Sequence, residues 1–338
     1  MQHCSECGTP LAANDLFCRS CGLEVPGVPT YDSSDPVMET IGGQKTIGGE
    51  HTRTGGRTSP SVDLEPGTEF TDRYVIDSVI GRGGMGVVYK AKDTLTDQTI
   101  ALKLIRPERA SGESAIKRLI AEGTTARDIR HKNIVAVYDV GATDGQPFVS
   151  MEFIGGPSLR AWHREKALAH EPVPVRGAAR IIAEILDGLK AAHDKGVVHR
   201  DLKPENIILM GEPDAKSAPL KILDFGIANV AGGPDTGTSG GLGTIGYMAP
   251  EQKTNPSAAT ASADIYSVSI LFYELLMDVQ PTGHWQPPSS ARSDVPPGID
   301  SLIETGLSNR PASRPQSAAA YRKTLVNAIN TGLSLIHI

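Results

Sequence analysis

Eight consecutive residues, His199 to Asn206, reading HRDLKPEN, constrain this chain more than any other stretch. A carboxylate at Asp201 and an amide at Asn206, five positions apart on a tight loop, can face one small volume. There Asp201 can orient a hydroxyl and Asn206 can hold a cation. That pairing suits phosphoryl transfer, in which positioning and charge neutralisation supply most of the catalysis. A second stretch suited to a metal, Asp224-Phe225-Gly226, follows at a workable distance. The competing reading is a polar helix-to-strand connection that spells this string by chance, and the length of the string weighs against it.

Upstream, residues 74–80, 86–92 and 99–105 are short β-branched and aliphatic runs separated by glycine or polar turns, the pattern of antiparallel strands. Gly81, Gly83 and Gly86 between the first two form GxGxxG. Without side chains there, backbone amides can approach phosphate, and a hairpin can lay them over a nucleotide. Strand follows rather than helix, which argues against a dinucleotide-binding turn. Lys103 is the one charge in an otherwise apolar strand. From Ser114 onward Ile116, Leu119 and Ile120 recur at helical spacing, with Glu122 in the same helix. Two more strands, near 135–140 and 148–153, bracket the turn ATDGQ. Gly155 and Gly156 follow and fit either a joint between lobes or a plain turn.

Together the glycine hairpin, Lys103, HRDLKPEN, DFG and the APE of Ala249-Pro250-Glu251 resemble the protein kinase signature set, over roughly residues 70–330. Lys203, two places after the aspartate, resembles the serine/threonine-kinase pattern of the bacterial eukaryotic-like (Hanks-type) branch. The resemblance implies an α+β bilobal fold, with a β-rich lobe over 70–153 and an α-rich lobe over 154–330. It also implies ATP with Mg2+ or Mn2+ in the cleft, and protein substrates bearing Ser/Thr acceptors. Residue by residue, it makes Asp201 the base toward the substrate hydroxyl and Lys203 a contact to the moving phosphate. Asn206 and Asp224 become the magnesium ligands. Lys103 becomes the ligand of the α and β phosphates, with Glu122 its ion-pair partner. Nucleotide binding then falls to Ile80, Gly81, Gly83, Gly86, Val88, Ala101 and Lys103. Met151 guards the rear of the adenine pocket, the backbones of Glu152 and Ile154 meet the adenine edge, and Ile208 forms its floor.

In the larger lobe, Ile181, Ile182, Ile185, Leu186 and Leu189 trace an apolar stripe on a helix ending near Gly196. Asp264 opens an apolar helix through Leu276, carrying Ser269 where the family often has glycine. Arg314 matches the arginine that pairs with the APE glutamate, Glu251. The segment from Gly226 to Glu251 is rich in glycine and hydroxyls. Thr236, Thr238 and Ser239 are candidate autophosphorylation sites there, a phosphate facing Arg200 being one way to order the loop; a plain Ser/Thr-rich loop is the other reading. Thr244 is read as part of the substrate platform. A pseudokinase scaffold is the rival from the binding class, but Lys103, Asp201 and Asp224 are all present. A small-molecule kinase is the rival enzyme, which the APE element disfavours.

All four cysteines fall in the first 21 of 338 residues, as Cys4-x-x-Cys7 and Cys18-x-x-Cys21, with Gly8 and Gly22 after the pairs. Two such knuckles can close a tetrahedral structural zinc site, giving a zinc ribbon over 1–26; two disulfides or a redox pair are the alternative. Residues 27–69 read as a Gly/Ser/Thr/Pro-rich tether, and 331–338 as a tail. TIGG occurs twice in the tether, at Thr40 and Thr46. It reads either as a phosphoacceptor motif serving a phosphothreonine-binding partner or as ordinary linker. The net charge of −6 gives no general nucleic-acid footprint. No apolar run reaches membrane-span length. These features, with the cysteine usage, set the expectation of a cytoplasmic protein.

Overall fold

The computed structural model describes residues 2–3, 10–11, 64–106, 113–214, 216–225, 246–255, 259–283 and 285–334. The chain divides into two compact units, Met1–Ser59 and Pro60–Ile338. In the first, β1 (Gln2–His3) pairs antiparallel with β2 (Pro10–Leu11). The four cysteines and both TIGG repeats lie outside the described residues.

The second unit begins with an antiparallel sheet of β3 (Glu69–Phe70), β4 (Tyr74–Gly83), β5 (Gly86–Asp93), β6 (Gln98–Ile105), β7 (Val137–Thr143) and β8 (Gln146–Glu152), in the order β3-β4-β5-β6-β8-β7. Residues 64–69, assigned by composition to the tether, lie on this sheet. Leu64 N donates to the Tyr89 hydroxyl at 3.0 Å and Gly67 N to Ile76 O at 2.8 Å. The strand period of two sorts β6 into faces. Ile100, Leu102 and Leu104 pack with Phe70, Tyr74, Tyr89 and Phe148. Ala101 and Ile105 pack on the other face with Val149, Met151 and Leu119. Lys103 shares that second face, which is the face that α1 (Glu113–Arg127) covers. Helix and sheet approach closely at Gly123, where a Cβ would come within 2.6 Å of the Val140 side chain. β7 and β8 are joined through Asp144 and Gly145, both left-handed at φ 49° and 77°, the two-residue turn that matches strand twist.

The rest of the unit is mainly helical. α2 (Leu159–Leu168) and α3 (Val175–His193) precede the loop that carries HRDLKPEN. A hairpin of β9 (Ile207–Leu209) and β10 (Leu220–Ile222) follows it, with Ile208 opposite Lys221. Beyond lie α4 (Pro250–Thr254), α5 (Ala261–Met277), α6 (Pro288–Ala291), α7 (Pro297–Gly306) and α8 (Ala318–Ser334). The helix α5 is apolar nearly all round and accordingly buried. One core joins α3, α5, α7, α8 and the β9–β10 hairpin. Ser269 fits the centre of α5 because Gly306 faces it; a Cβ on that glycine would meet the Ser269 hydroxyl at 1.9 Å. Its hydroxyl donates to Ile265 O at 2.8 Å.

Candidate active site

The HRDLKPEN loop is held from below by one carboxylate. Asp264, with no exposed surface, accepts from the backbone amides of His199 and Arg200, each at 2.9 Å, and from His193 Nε2 at 2.8 Å. Burial alone would raise its pKa, but the His193 hydrogen bond and the neighbouring donors hold it below the usual carboxylate range. These bonds fix Arg200 at φ 67°, a left-handed conformation that side chains disfavour. The Arg200 carbonyl accepts from Gln252 Nε2 at 2.8 Å, which ties α4 to the loop. His199 links the loop to the next motif. Its Nε2 donates to Leu223 O at 2.8 Å, its Nδ1 accepts from Asp201 N at 3.3 Å, and its ring meets the Phe225 ring edge-on at 4.7 Å.

Asp201, Lys203 and Asn206 converge as the spacing anticipates. Lys203 Nζ is 2.9 Å from Asp201 Oδ2. Asn206 Nδ2 donates to Asp201 O at 2.8 Å and reaches Oδ2 at 3.3 Å. The Asn206 side-chain nitrogen is thereby committed to Asp201. Leu223 N donates to Asn206 O at 2.8 Å, so the residue before Asp224 is tied directly to the HRDLKPEN loop.

Asp224 is left-handed at φ 61°. Its Oδ2 accepts from Lys103 Nζ at 2.8 Å across the cleft. Burial pushes the Asp224 carboxyl up, but the Lys103 ammonium outweighs it and the group stays ionised below its ordinary range. Glu122, expected to pair with Lys103, lies in α1, and its side chain is outside the described residues; the described partner of Lys103 is Asp224.

The three glycines of GxGxxG divide in function. β4 runs through Gly81 to Gly83, which pairs with Gly86, so the glycines belong to the ladder rather than to a long turn. A Cβ at Gly83 would meet nothing within 4 Å, whereas one at Gly86, at φ 158°, would lie 1.9 Å from Leu104 O. Gly83 leaves backbone open to a ligand, while Gly86 is required by the adjacent strand. Gly156 behaves like Gly86. At φ 153° its Cβ would sit 2.0 Å from Leu209 O, so Gly156, read as part of either a joint or a plain turn, is packed against β9.

The walls assigned to adenine come together. Ala101 and Met151 are buried in one cluster, and Val88, Ile154 and Leu223 pack against it. Ile208 is half-buried on β9 beside Gly156, and Ile80 is exposed. Glu152 turns its carboxylate to Lys221 Nζ at 2.6 Å, and its backbone amide donates to Ala136 O at 2.8 Å. Leu223 carried no sequence signal beyond its apolar run. Asp264 and Gln252 were also missed as supports of the loop; a carboxylate in an otherwise apolar helix was the one available cue for Asp264.

Glu251 and Arg314 form a bidentate pair at 2.6 and 2.8 Å, with Arg314 buried and its guanidinium also donating to Ser262 O. Thr236, Thr238, Ser239, Thr244 and Gly226 lie outside the described residues, as do Cys4, Cys7, Cys18 and Cys21. Among the described residues no cluster of metal-ligating side chains is large enough to hold an ion by itself, and no helix is long and apolar enough to cross a membrane.

Residues 74–326 match the protein kinase domain family. The chain is 34% identical over 293 residues to the serine/threonine-protein kinase pkn3 of Myxococcus xanthus, covering 79% of this chain and 52% of that protein. It is 35% identical over 274 residues to the serine/threonine-protein kinase PknD of Mycobacterium tuberculosis, covering 76% and 40% respectively. It thus spans about half or less of these relatives' length. The crystal structure of the Mycobacterium tuberculosis PknI kinase domain superposes with a TM-score of 0.64 at 25% identity, covering 79% of this chain and all of that one. With the paired Lys103 and Asp224, the Asp201 loop and a family match over most of its length, this chain belongs to the protein kinase family.

Proposed function

We propose that the chain is a serine/threonine protein kinase of the bacterial Hanks type that transfers the γ-phosphate of ATP to protein hydroxyls, itself included. The observation that carries this reading is the convergence of Asp201, Lys203 and Asn206 on one loop hydrogen-bonded to the segment that presents Asp224 to Lys103. The Asp201 carboxylate orients the acceptor hydroxyl and takes its proton as the oxygen bonds to phosphorus and the bond to the β-phosphate oxygen breaks. Lys203, beside Asp201, faces the phosphoryl in flight, and Lys103 draws the remaining phosphates into the cleft. The donor set suits magnesium: a carboxylate at Asp224 and an amide oxygen at Asn206, both hard oxygen ligands. Magnesium bound there would neutralise the charge of the terminal phosphates. Replacing Asp201 with Asn tests the assignment: transfer to a protein acceptor should disappear while nucleotide binding persists. Near-normal turnover would remove Asp201 from the mechanism.

The same reading extends to the residues around the site. Arg200 Nε is buried without a hydrogen-bond partner among the described residues, which suits a phosphate on Thr236, Thr238 or Ser239. Cys4, Cys7, Cys18 and Cys21 bind one structural zinc, and Thr40 and Thr46 serve as acceptors read by a phosphothreonine-binding partner, in a reducing cytoplasmic setting. Metal analysis of the purified chain and phosphosite mapping after incubation with ATP test these assignments. Absence of zinc, or of phosphate on the named threonines, would remove them.

A further inference from the structure

Two neighbours on α4 have different work. Glu251 pairs with Arg314, while Gln252, 5% exposed, reaches the HRDLKPEN loop. Both ends of the Gln252 amide are engaged. Its Oε1 accepts from Ala249 N at 3.1 Å, and its Nε2 donates to Arg200 O at 2.8 Å. The backbone N of Gln252 also donates to Ala249 O at 3.0 Å. The glutamine is thereby closed against Ala249, a residue wholly buried with Ala259 and Ala263.

The carbonyl that Gln252 holds belongs to the peptide unit entering Asp201. At the other end of that unit Asp201 N donates to His199 Nδ1 at 3.3 Å, a longer bond than the one Gln252 makes. Asp264 fixes the two preceding peptide units, through the amides of His199 and Arg200. Gln252 takes the next one. Arg200, between them, is left-handed at φ 67°, a conformation that side chains disfavour and that persists where its surroundings impose it. Turning the unit after Arg200 changes the φ of Asp201 and so re-aims its carboxylate. A base must sit within hydrogen-bond reach of the proton it takes, and a misplacement of about 1 Å can cost about 100-fold in rate.

We propose that Gln252 is a positioning residue for phosphate transfer: its bond to the Arg200 carbonyl holds the peptide unit that aims Asp201, which makes the orientation of the base depend on the seating of the APE element. This rests on the protein kinase reading above.

The test uses the full chain with Mg-ATP, casein as acceptor, and two replacements close to glutamine in size. Gln252→Glu keeps an oxygen for Ala249 N but offers Arg200 O a second acceptor in place of a donor. Gln252→Met removes both bonds. Each should lower kcat by about tenfold or more, with the KM for ATP and the affinity for nucleotide within about twofold of the unaltered chain. Glu251→Gln, on the same helix, supplies the comparison, its rate following its stability. A glutamine that only closed the turn of α4 would leave the glutamate variant, which keeps that bond, near the unaltered rate, and this result would overturn the proposal. So would a loss carried by the KM for ATP, or one no larger than the loss of folded protein seen in thermal unfolding. Should neither variant fold, Gln252 is a structural residue and the proposal is overturned equally. Absence of transfer to casein and to itself by the unaltered chain would overturn the kinase reading, and this inference with it.

Discussion

Lys103 and Asp224, 121 residues apart in sequence, meet with Nζ 2.8 Å from Oδ2, and this ion pair is a direct side-chain link between the sheet-bearing half of the cleft and the segment that continues from Asp201. Without it Asp224 would be a carboxylate in a poorly solvated place, where burial raises its pKa and little offsets the cost. Lys103→Met should therefore act twice. Phosphate transfer should fall by about 100-fold or more, about 3 kcal/mol, the scale on which removing one preorganised charge acts. The nucleotide-free chain should also lose about 2 kcal/mol of stability, the cost of an unpaired buried charge. A double variant with Asp224→Asn should lose less stability than the two single changes added together, since the residues touch. Thermal unfolding and labelled phosphate transfer measure both effects.

The glycine hairpin separates two roles that one motif conceals. Ala at Gly86 would drive its Cβ to 1.9 Å from Leu104 O at an unfavourable φ of 158°, while Ala at Gly83 would meet nothing within 4 Å. Gly86→Ala should destabilise the chain by about 2 kcal/mol or more, through overlap and strain. Gly83→Ala should change stability by about 0.5 kcal/mol or less and be felt in the KM for ATP instead. Denaturant unfolding beside nucleotide titration distinguishes them. Equal destabilisation by both changes would contradict this division.

The Glu251–Arg314 pair joins the APE element to the segment before α8, with both terminal guanidinium nitrogens on the carboxylate and Nε donating to Ser308 O at 2.8 Å. Arg314 is buried, and the Glu251 carboxyl, which burial would raise, is held low by the arginine's hydrogen bonds. Arg314→Ala should cost about 3 kcal/mol, because Glu251 and the Ser262 carbonyl both lose a buried donor. Glu251→Gln should cost less, since the amide still accepts from Arg314. Activity should follow stability in both, as a bridge remote from the reacting atoms requires; loss of turnover without loss of stability would give Glu251 a different role.

What could be read from the chain and what could not divide along physical lines. The meeting of Asp201, Lys203 and Asn206 was legible as fixed spacing on one loop, and Asp224 as a turn that follows it. Lys103 was legible because a lone charge in an apolar strand needs a reason. The end of β4 was misread: Gly81 and Gly83 look like a turn, yet β5 opposite them supplies the ladder that extends the strand to Gly83. Asp264 and Gln252 were invisible as supports because their roles arise from contacts with residues 64 and 52 positions away. Gly156 reads as freedom in one dimension and proves to be clearance for a neighbouring carbonyl in three. Ser269 and Gly306 make the same point, since neither residue explains itself without the other.

Asp93 offers a pH test on the far side of the sheet from the chemistry. Its carboxylate takes Arg73 Nε and Nη2 at 2.9 and 2.8 Å, with Leu95 N and Thr96 Oγ1 each at 3.0 Å, so it closes the β5–β6 turn and clamps it to the residue before β4. The Arg73 hydrogen bonds, against opposing burial, lower the Asp93 carboxyl from its ordinary 3.8 to about 2. A depressed folded-state pKa means the unfolded chain binds this proton first as acid is added. The associated stability, about 2 kcal/mol, is therefore complete above about pH 4 and drains away as pH falls toward 2. Asp93→Asn cannot ionise, so the variant should be less stable by about 2 kcal/mol at neutral pH, and the gap should narrow steadily through the acid range. Denaturant midpoints of the two proteins across a pH series measure that gap directly. A gap that stayed constant into acid would mean that the turn depends on the hydrogen-bond shape of this side chain and not on its charge.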